Sequence, residues 1–186
     1  MEGILNGDPK IFPDARYIPE LTYLDAIELA FSGAQIIHPK TIKPLQNKDI
    51  PLYVKCFVDK TKPGSIIKGE TAEPVNVPVL ILKSNQVLLT IRPEDFSFVL
   101  EERFAHIFSM LAEYNVKVNL IENSAVSLSL CIDNTRYLDE VVERFRSEGF
   151  HATYNTEMEL LTIRRYTPEE LTLYGEGDNV YLSQRT

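Results

Sequence analysis

Cysteine is scarce in this chain of 186 residues: Cys56 and Cys131 are its only two, far apart and outside any CxxC pair. Neither a zinc cage nor a disulfide framework is signalled. With only three histidines as well, the chain reads as a protein of a reducing compartment, the cytoplasm. No apolar run approaches the roughly 18 residues of a membrane span, and no charged-then-apolar leader opens the chain. Positive charge is short too, with 19 Lys and Arg against 27 Asp and Glu and a net charge of -8. That deficit argues against broad contact with nucleic acid or an anionic membrane. Apolar residues at 44% and charged residues at 25% are ordinary globular usage, enough for one good-sized domain or two small ones.

Composition breaks between Asp59 and Pro78, where three Pro and two Gly interrupt any period. This stretch reads as a connection holding one short apolar element, Ser65-Ile66-Ile67. It divides the chain into residues 1–70 and 79–186. The first part opens with turns around Asn6-Gly7-Asp8-Pro9. A helix is expected from Thr22, where Thr22-x-x-Asp25 is a capping-box start, to a Gly33 stop. Its buried face is read as Leu24, Ile27 and Phe31. A second short helix starts at His38-Pro39 and runs to Lys48, and Ile50 to Phe57 is a strand. Two modest helices and one clear strand bury little surface, so this part reads as the tail of a larger α/β domain.

The second part is more regular. Gln86 to Ile91 is a strand, and a helix from Phe98 to Tyr114 lines up Phe104, Ile107, Phe108 and Leu111. Val116 to Ile121 and Val126 to Ile132 alternate apolar and polar residues as half-buried strands do. Leu138, Val141, Val142 and Phe145 mark a second helix stopped by Gly149, with strands at His151 to Thr156 and Leu160 to Ile163. The order is βαββαβ, which predicts an α+β fold of the ferredoxin-like kind, an antiparallel sheet with both helices on one face.

Four blocks in the first part, in this order, resemble aspartate kinases. They are Gly3-Ile4 with Asp8-Pro9-Lys10, Glu28 to Ile42 (ELAFSGAQIIHPKTI), Ile50 to Lys55 (IPLYVK), and Pro63 to Ile67 (PGSII). In that family a βαββαβ region downstream forms paired ACT regulatory domains, which sense amino acids. The resemblance therefore implies that residues 1–70 are the C-terminal piece of an amino-acid kinase domain and 79–186 an ACT region. Within the latter, 86–156 would form one ACT unit inserted between 79–85 and 157–186 of a reduced second unit, where Thr167-Pro168 starts only a short helix. The implied parent moves the γ-phosphate of ATP, with Mg²⁺, to the side chain of L-aspartate. The family's Lys-Phe-Gly-Gly-Thr-Ser block and its catalytic lysine and aspartate positions have no match here, so the expectation is a non-catalytic fragment that binds no cofactor by itself.

The resemblance also assigns sites. Remnants of nucleotide binding fall on Leu5 and Lys10, around the Asp-Pro block, and on Gln35 and Ile36, before His38-Pro39. Lysine where the family has arginine keeps a charge for phosphate without the planar fork. Effector binding falls on Lys117, Val118, Asn119, Asn123, Ser124 and Ala125. Lysine-sensitive members often carry carboxylates at the positions of Asn119 and Ala125, which here offer no charge pairing. The implied partners are a second copy, through side-by-side ACT sheets, and an amino-acid effector: lysine, threonine or methionine. His38 is read as a capping or packing residue, and His106 as solvated.

Two other classes compete. A stand-alone ACT-type small-molecule-binding module would share the second part but has no use for the four blocks of the first. An RNA-binding βαββαβ sheet needs exposed aromatics and a basic surface; Ser127 and Ser129 occupy the strand instead.

Overall fold

The computed structural model describes residues 3–72, 75–95, 98, 101–175 and 180–185. The chain forms two compact units, 1–82 with 161–185, and 83–160. This division differs from a break at residues 71–78, because the apolar segments on either side of that stretch share one core. Ile67, Val79 and Ile81 are buried in the same cluster as Ile4, Ile18, Leu21 and Leu29.

In the first unit, β1 (Ile4–Leu5) and β2 (Tyr17–Ile18) pair antiparallel. A three-stranded sheet follows the order β3-β5-β4, with β3 (Glu20–Thr22) parallel to β5 (Ser65–Lys68) and β4 (Leu52–Val54) antiparallel to it. Helix α1 (Tyr23–Ser32) begins with the expected capping box, in which Thr22 Oγ1 accepts from the Asp25 amide at 3.0 Å, and ends on Gly33 at φ 115°. Its buried residues are Tyr23, Ala26 and Leu29; of the expected face, Ile27 is half-buried against the core, whereas Leu24 and Phe31 are 64% and 65% exposed. The helix YLDAIELAFS is apolar over most of its circumference, so periodicity alone does not choose a face. Ala26 permits close approach, and the Tyr23 hydroxyl donates to the Ile50 carbonyl at 2.7 Å, which fixes the rotation. Helix α2 (Pro39–Gln46) is capped by His38, whose Nδ1 accepts from the Lys40 amide at 3.2 Å.

The second unit is built on a four-stranded sheet of order β7-β8-β6-β9. The strands are β6 (Val79–Pro93), β7 (Val118–Asn123), β8 (Leu128–Asp133) and β9 (Phe150–Arg164). β8 pairs antiparallel with both β6 and β7. Helices α3 (Glu101–Glu113) and α4 (Leu138–Ser147) supply Ile107, Met110, Leu111, Val141, Val142 and Phe145 to one core with Val87, Leu89, Leu128, Leu130 and Ile132. Each such side chain contributes about 1.5–3 kcal/mol of burial. Val99 and Leu100, read as part of the helix from Phe98, lie outside the described residues, as do 176–179 of the polar stretch after Tyr166. The last element of the first unit is α5 (Pro168–Gly175), a short helix as read.

β6 and β9 are each longer than the sequence indicates. Both contain a residue at positive φ, Asn85 at 57° in β6 and Glu157 at 59° in β9. These irregularities fall where the pattern shows a polar gap, and the gap reads as a strand end. Among the described residues no helix is long and apolar enough to cross a membrane.

Candidate functional site

In the first unit the motif residues serve mainly as braces. Ser65 is wholly buried; its hydroxyl donates to the Ile18 carbonyl at 2.5 Å and accepts from the Ile4 amide at 2.8 Å. A Cβ on Gly3 would lie 2.5 Å from that hydroxyl oxygen. The Tyr17 hydroxyl donates to the carbonyl of Gly64, a residue at φ 72°. Asn6 is buried, donating to the Pro78 carbonyl at 2.7 Å and accepting from the Arg16 amide at 2.5 Å.

Around these braces, Leu5 is half-buried in β1 and Lys10 is exposed on a turn whose amide donates to Asp8 Oδ1 at 2.9 Å. Gln35 is exposed and Ile36 half-buried against the core, both between α1 and α2. No hydrogen bond among the described residues joins the Leu5–Lys10 turn to Gln35 and Ile36. Elsewhere in this unit Arg164 and Arg165 hold the acidic side of α1, pairing with Glu28 at 2.7 Å and Asp25 at 2.9 Å.

In the second unit the six residues assigned to an effector separate into two groups. Asn123, Ser124 and Ala125 are exposed in the β7–β8 hairpin turn, where the Ser124 and Ser127 hydroxyls lie 2.7 Å apart. Asn119 stands near the other end of β7, roughly 15 Å away at about 3.3 Å per residue. Lys117 is exposed just before β7, and its carbonyl accepts from the Asp133 amide at 3.0 Å. Val118 packs against the core.

A bulge between Val118 and Leu120 adds Asn119 to β7 as an extra residue. Its side chain joins a polar cluster on the sheet face opposite the apolar residues of β6 and β8. Asn119 Nδ2 donates to Gln86 Oε1 and to Asp133 Oδ1, both at 2.7 Å. Gln86 Nε2 donates to the same Asp133 oxygen at 3.1 Å. Lys83 Nζ lies 2.5 Å from Asp133 Oδ1 and donates to Asn119 Oδ1 at 3.0 Å. Burial of Asp133 disfavours its charge, but the donors from Lys83, Asn119 and Gln86 outweigh burial and hold its carboxyl below the ordinary value. Burial pushes the neighbouring Cys131 thiol up.

Lys83, Gln86 and Asp133 were not singled out from sequence. Their only signal is that each strand run begins or ends in a polar residue, and the register is needed to bring those ends together. His106 is exposed, with Nε2 3.4 Å from Glu148 Oε2. Among the described residues no group of His, Cys, Asp and Glu is arranged to hold a metal.

The model of the amino acid kinase family matches residues 1–56. Lysine-sensitive aspartokinase 3 of Escherichia coli is 35% identical over 135 residues, covering 72% of this chain and 29% of the relative. Chloroplastic aspartokinase 2 of Arabidopsis thaliana is 32% identical over 138 residues, covering 72% of this chain and 24% of the relative. Among solved structures, E. coli aspartokinase III in complex with lysine and aspartate, its T-state, matches with a TM-score of 0.74 at 29% identity. Its R-state, in complex with aspartate and ADP, matches with a TM-score of 0.75 at 28% identity. Each match covers 87% of this chain and 37% of the solved one. The chain thus spans about three tenths of the first of these relatives. With four sequence blocks, a family model matched over residues 1–56 and a structural likeness over 87% of its length in agreement, the chain belongs to the aspartokinase family.

Proposed function

We propose that this chain is the C-terminal, regulatory portion of an aspartate kinase, which converts ATP and L-aspartate to 4-phospho-L-aspartate at the start of lysine, threonine and methionine synthesis. The observation that carries the reading is the succession of a partial amino-acid-kinase match over residues 1–56 and a βαββαβ unit behind it. The sheet order β7-β8-β6-β9 supports reading residues 83–160 as a ferredoxin-like ACT unit. Residues 1–70 are then kinase-domain structure, and the strand segments 79–82 and 161–164 the start and return of a reduced second ACT unit. We place the protein in the cytoplasm.

Phosphoryl transfer rests on positioned charges around the phosphates and Mg²⁺. No residue here is assigned a catalytic role, so the chain alone is inactive. Leu5, Lys10, Gln35 and Ile36 would border nucleotide only in the whole enzyme. Arg164 and Arg165, held on α1, are structural in this reading. The expected result is no ATP-dependent aspartyl hydroxamate from the isolated chain; measurable product would overturn the non-catalytic reading.

For regulation, the E. coli relative solved with lysine motivates an amino-acid effector at the Lys117–Ala125 segment. Thermal shift against lysine, threonine and methionine tests it, since a ligand at 100 times its dissociation constant adds about 2.7 kcal/mol. β7 is an edge strand, and its outer backbone groups would pair with a second copy to give the homodimer. Sedimentation at twice the chain mass is the expected outcome, and a monomer at high concentration would remove that part.

A further inference from the structure

We propose that Lys83 is a built-in ligand, its ammonium occupying a cation subsite formed by Asp133, Asn119 and Gln86 and barring free cationic amino acids from it. Three donors converge on Asp133 Oδ1, from Gln86, Asn119 and Lys83. The first two are neutral amides fixed in their own strands, Gln86 being 1% exposed. Only the lysine supplies charge, and it does so at the end of a flexible stem. The side chains of Lys83 and Asp133 are 20% and 37% exposed, so the carboxylate remains open to solvent. Remove the stem, and the remaining carboxylate and amide oxygens form a small anionic, acceptor-rich recess of the kind a primary ammonium fits. Asn119 Nδ2 already donates to Gln86 and Asp133, and its Oδ1 accepts from Lys83. Its amide therefore has little left to offer an incoming ligand while Lys83 is in place.

The subsite is thus filled from inside the chain. A cationic effector must either displace Lys83 or bind elsewhere along the β7–β8 hairpin. This deepens the amino-acid-sensing reading and rests on it for its regulatory meaning.

Lys83→Ala removes three methylenes and the ammonium, a fragment matched by propylammonium. The variant is expected to lose several degrees of thermal midpoint, because the partly buried carboxylate loses its charged partner. Millimolar propylammonium should then raise its midpoint saturably, tetramethylammonium at equal ionic strength should not, and the unsubstituted chain should respond to neither. Lys83→Met, which fills the recess with an uncharged stem, is expected to be destabilised and not rescued. Equal responses of K83A and the unsubstituted chain, or none from K83A, would overturn the proposal.

If K83A does not fold, the unsubstituted chain still decides the matter. Nitrogen-detected NMR should find the Lys83 ammonium exchanging more slowly than those of the exposed lysines, and a rate equal to theirs would refute the assignment. The sensing reading fails separately, on absence of any amino-acid thermal shift with the rescue intact.

Discussion

Helices α1 and α4 are each ten residues long, yet they use their apolar residues differently. α4 has four, and all four, Leu138, Val141, Val142 and Phe145, are buried, with acidic residues in its first turn and arginines in its last to match the helix dipole. α1 carries more and buries only Tyr23, Ala26 and Leu29. The same contrast extends to the units. The sheet of the second unit is closed by its own helices, whereas the first leaves Phe57 and Val58, both 93% exposed, beside β4. The two units thus differ in how completely their helices bury their apolar residues.

Substitutions sharpen this contrast, and the largest effect is expected in the second unit. Phe145→Ala, removing a fully buried ring that meets Phe150 edge-on, should cost about 3–5 kcal/mol in denaturant unfolding. A smaller loss would mean that this core is looser than its burial indicates. In the first unit, Ser65→Ala strands the Ile4 amide and the Ile18 carbonyl, at about 1–3 kcal/mol each when buried and unpaired. An effect near zero would show that water reaches that joint.

The acid side of the stability curve gives the next test. Asp133 is held below its ordinary value of 3.8, so the stability its carboxylate contributes is present above that pH and fades as pH falls through the lower folded value. Asp133→Asn should flatten that part of the curve, and an unchanged acid limb would assign the loss to other carboxylates. Least of all, Leu24→Ser on the open face of α1 should change stability by no more than about 0.5 kcal/mol while reducing self-association at high concentration. A core-sized loss there would mean that the face is covered.

The second unit was the more legible in sequence because its helices carry one apolar stripe each and β8 alternates cleanly. Leu138, Val141, Val142 and Phe145 point where their spacing places them. α1 was misread for a physical reason: with two adjacent apolar stripes, its rotation is set by the small side chain of Ala26 and the hydroxyl of Tyr23. The long strands were read as separate runs because Asn85 and Glu157 interrupt the alternation. The polar cluster was hidden for another reason. Lys83, Gln86, Asn119 and Asp133 come from three strands, and the β7 bulge that admits Asn119 leaves no mark in a single sequence. The resemblance brought Asn119 to notice, but not the lysine that holds its side chain.

The tight meeting of Gly3 and Ser65 constrains how this protein can vary. One hydroxyl serves two strands there, and a Cβ on the glycine opposite would meet that hydroxyl at 2.5 Å, the Ser65 amide nitrogen at 2.7 Å and the Tyr17 ring at 2.9 Å. Even threonine at position 65 would have to place its extra carbon away from Gly3. Glycine at position 3 is therefore demanded by backbone and ring as much as by the hydroxyl, and no change of side chain at position 65 would by itself admit a Cβ there.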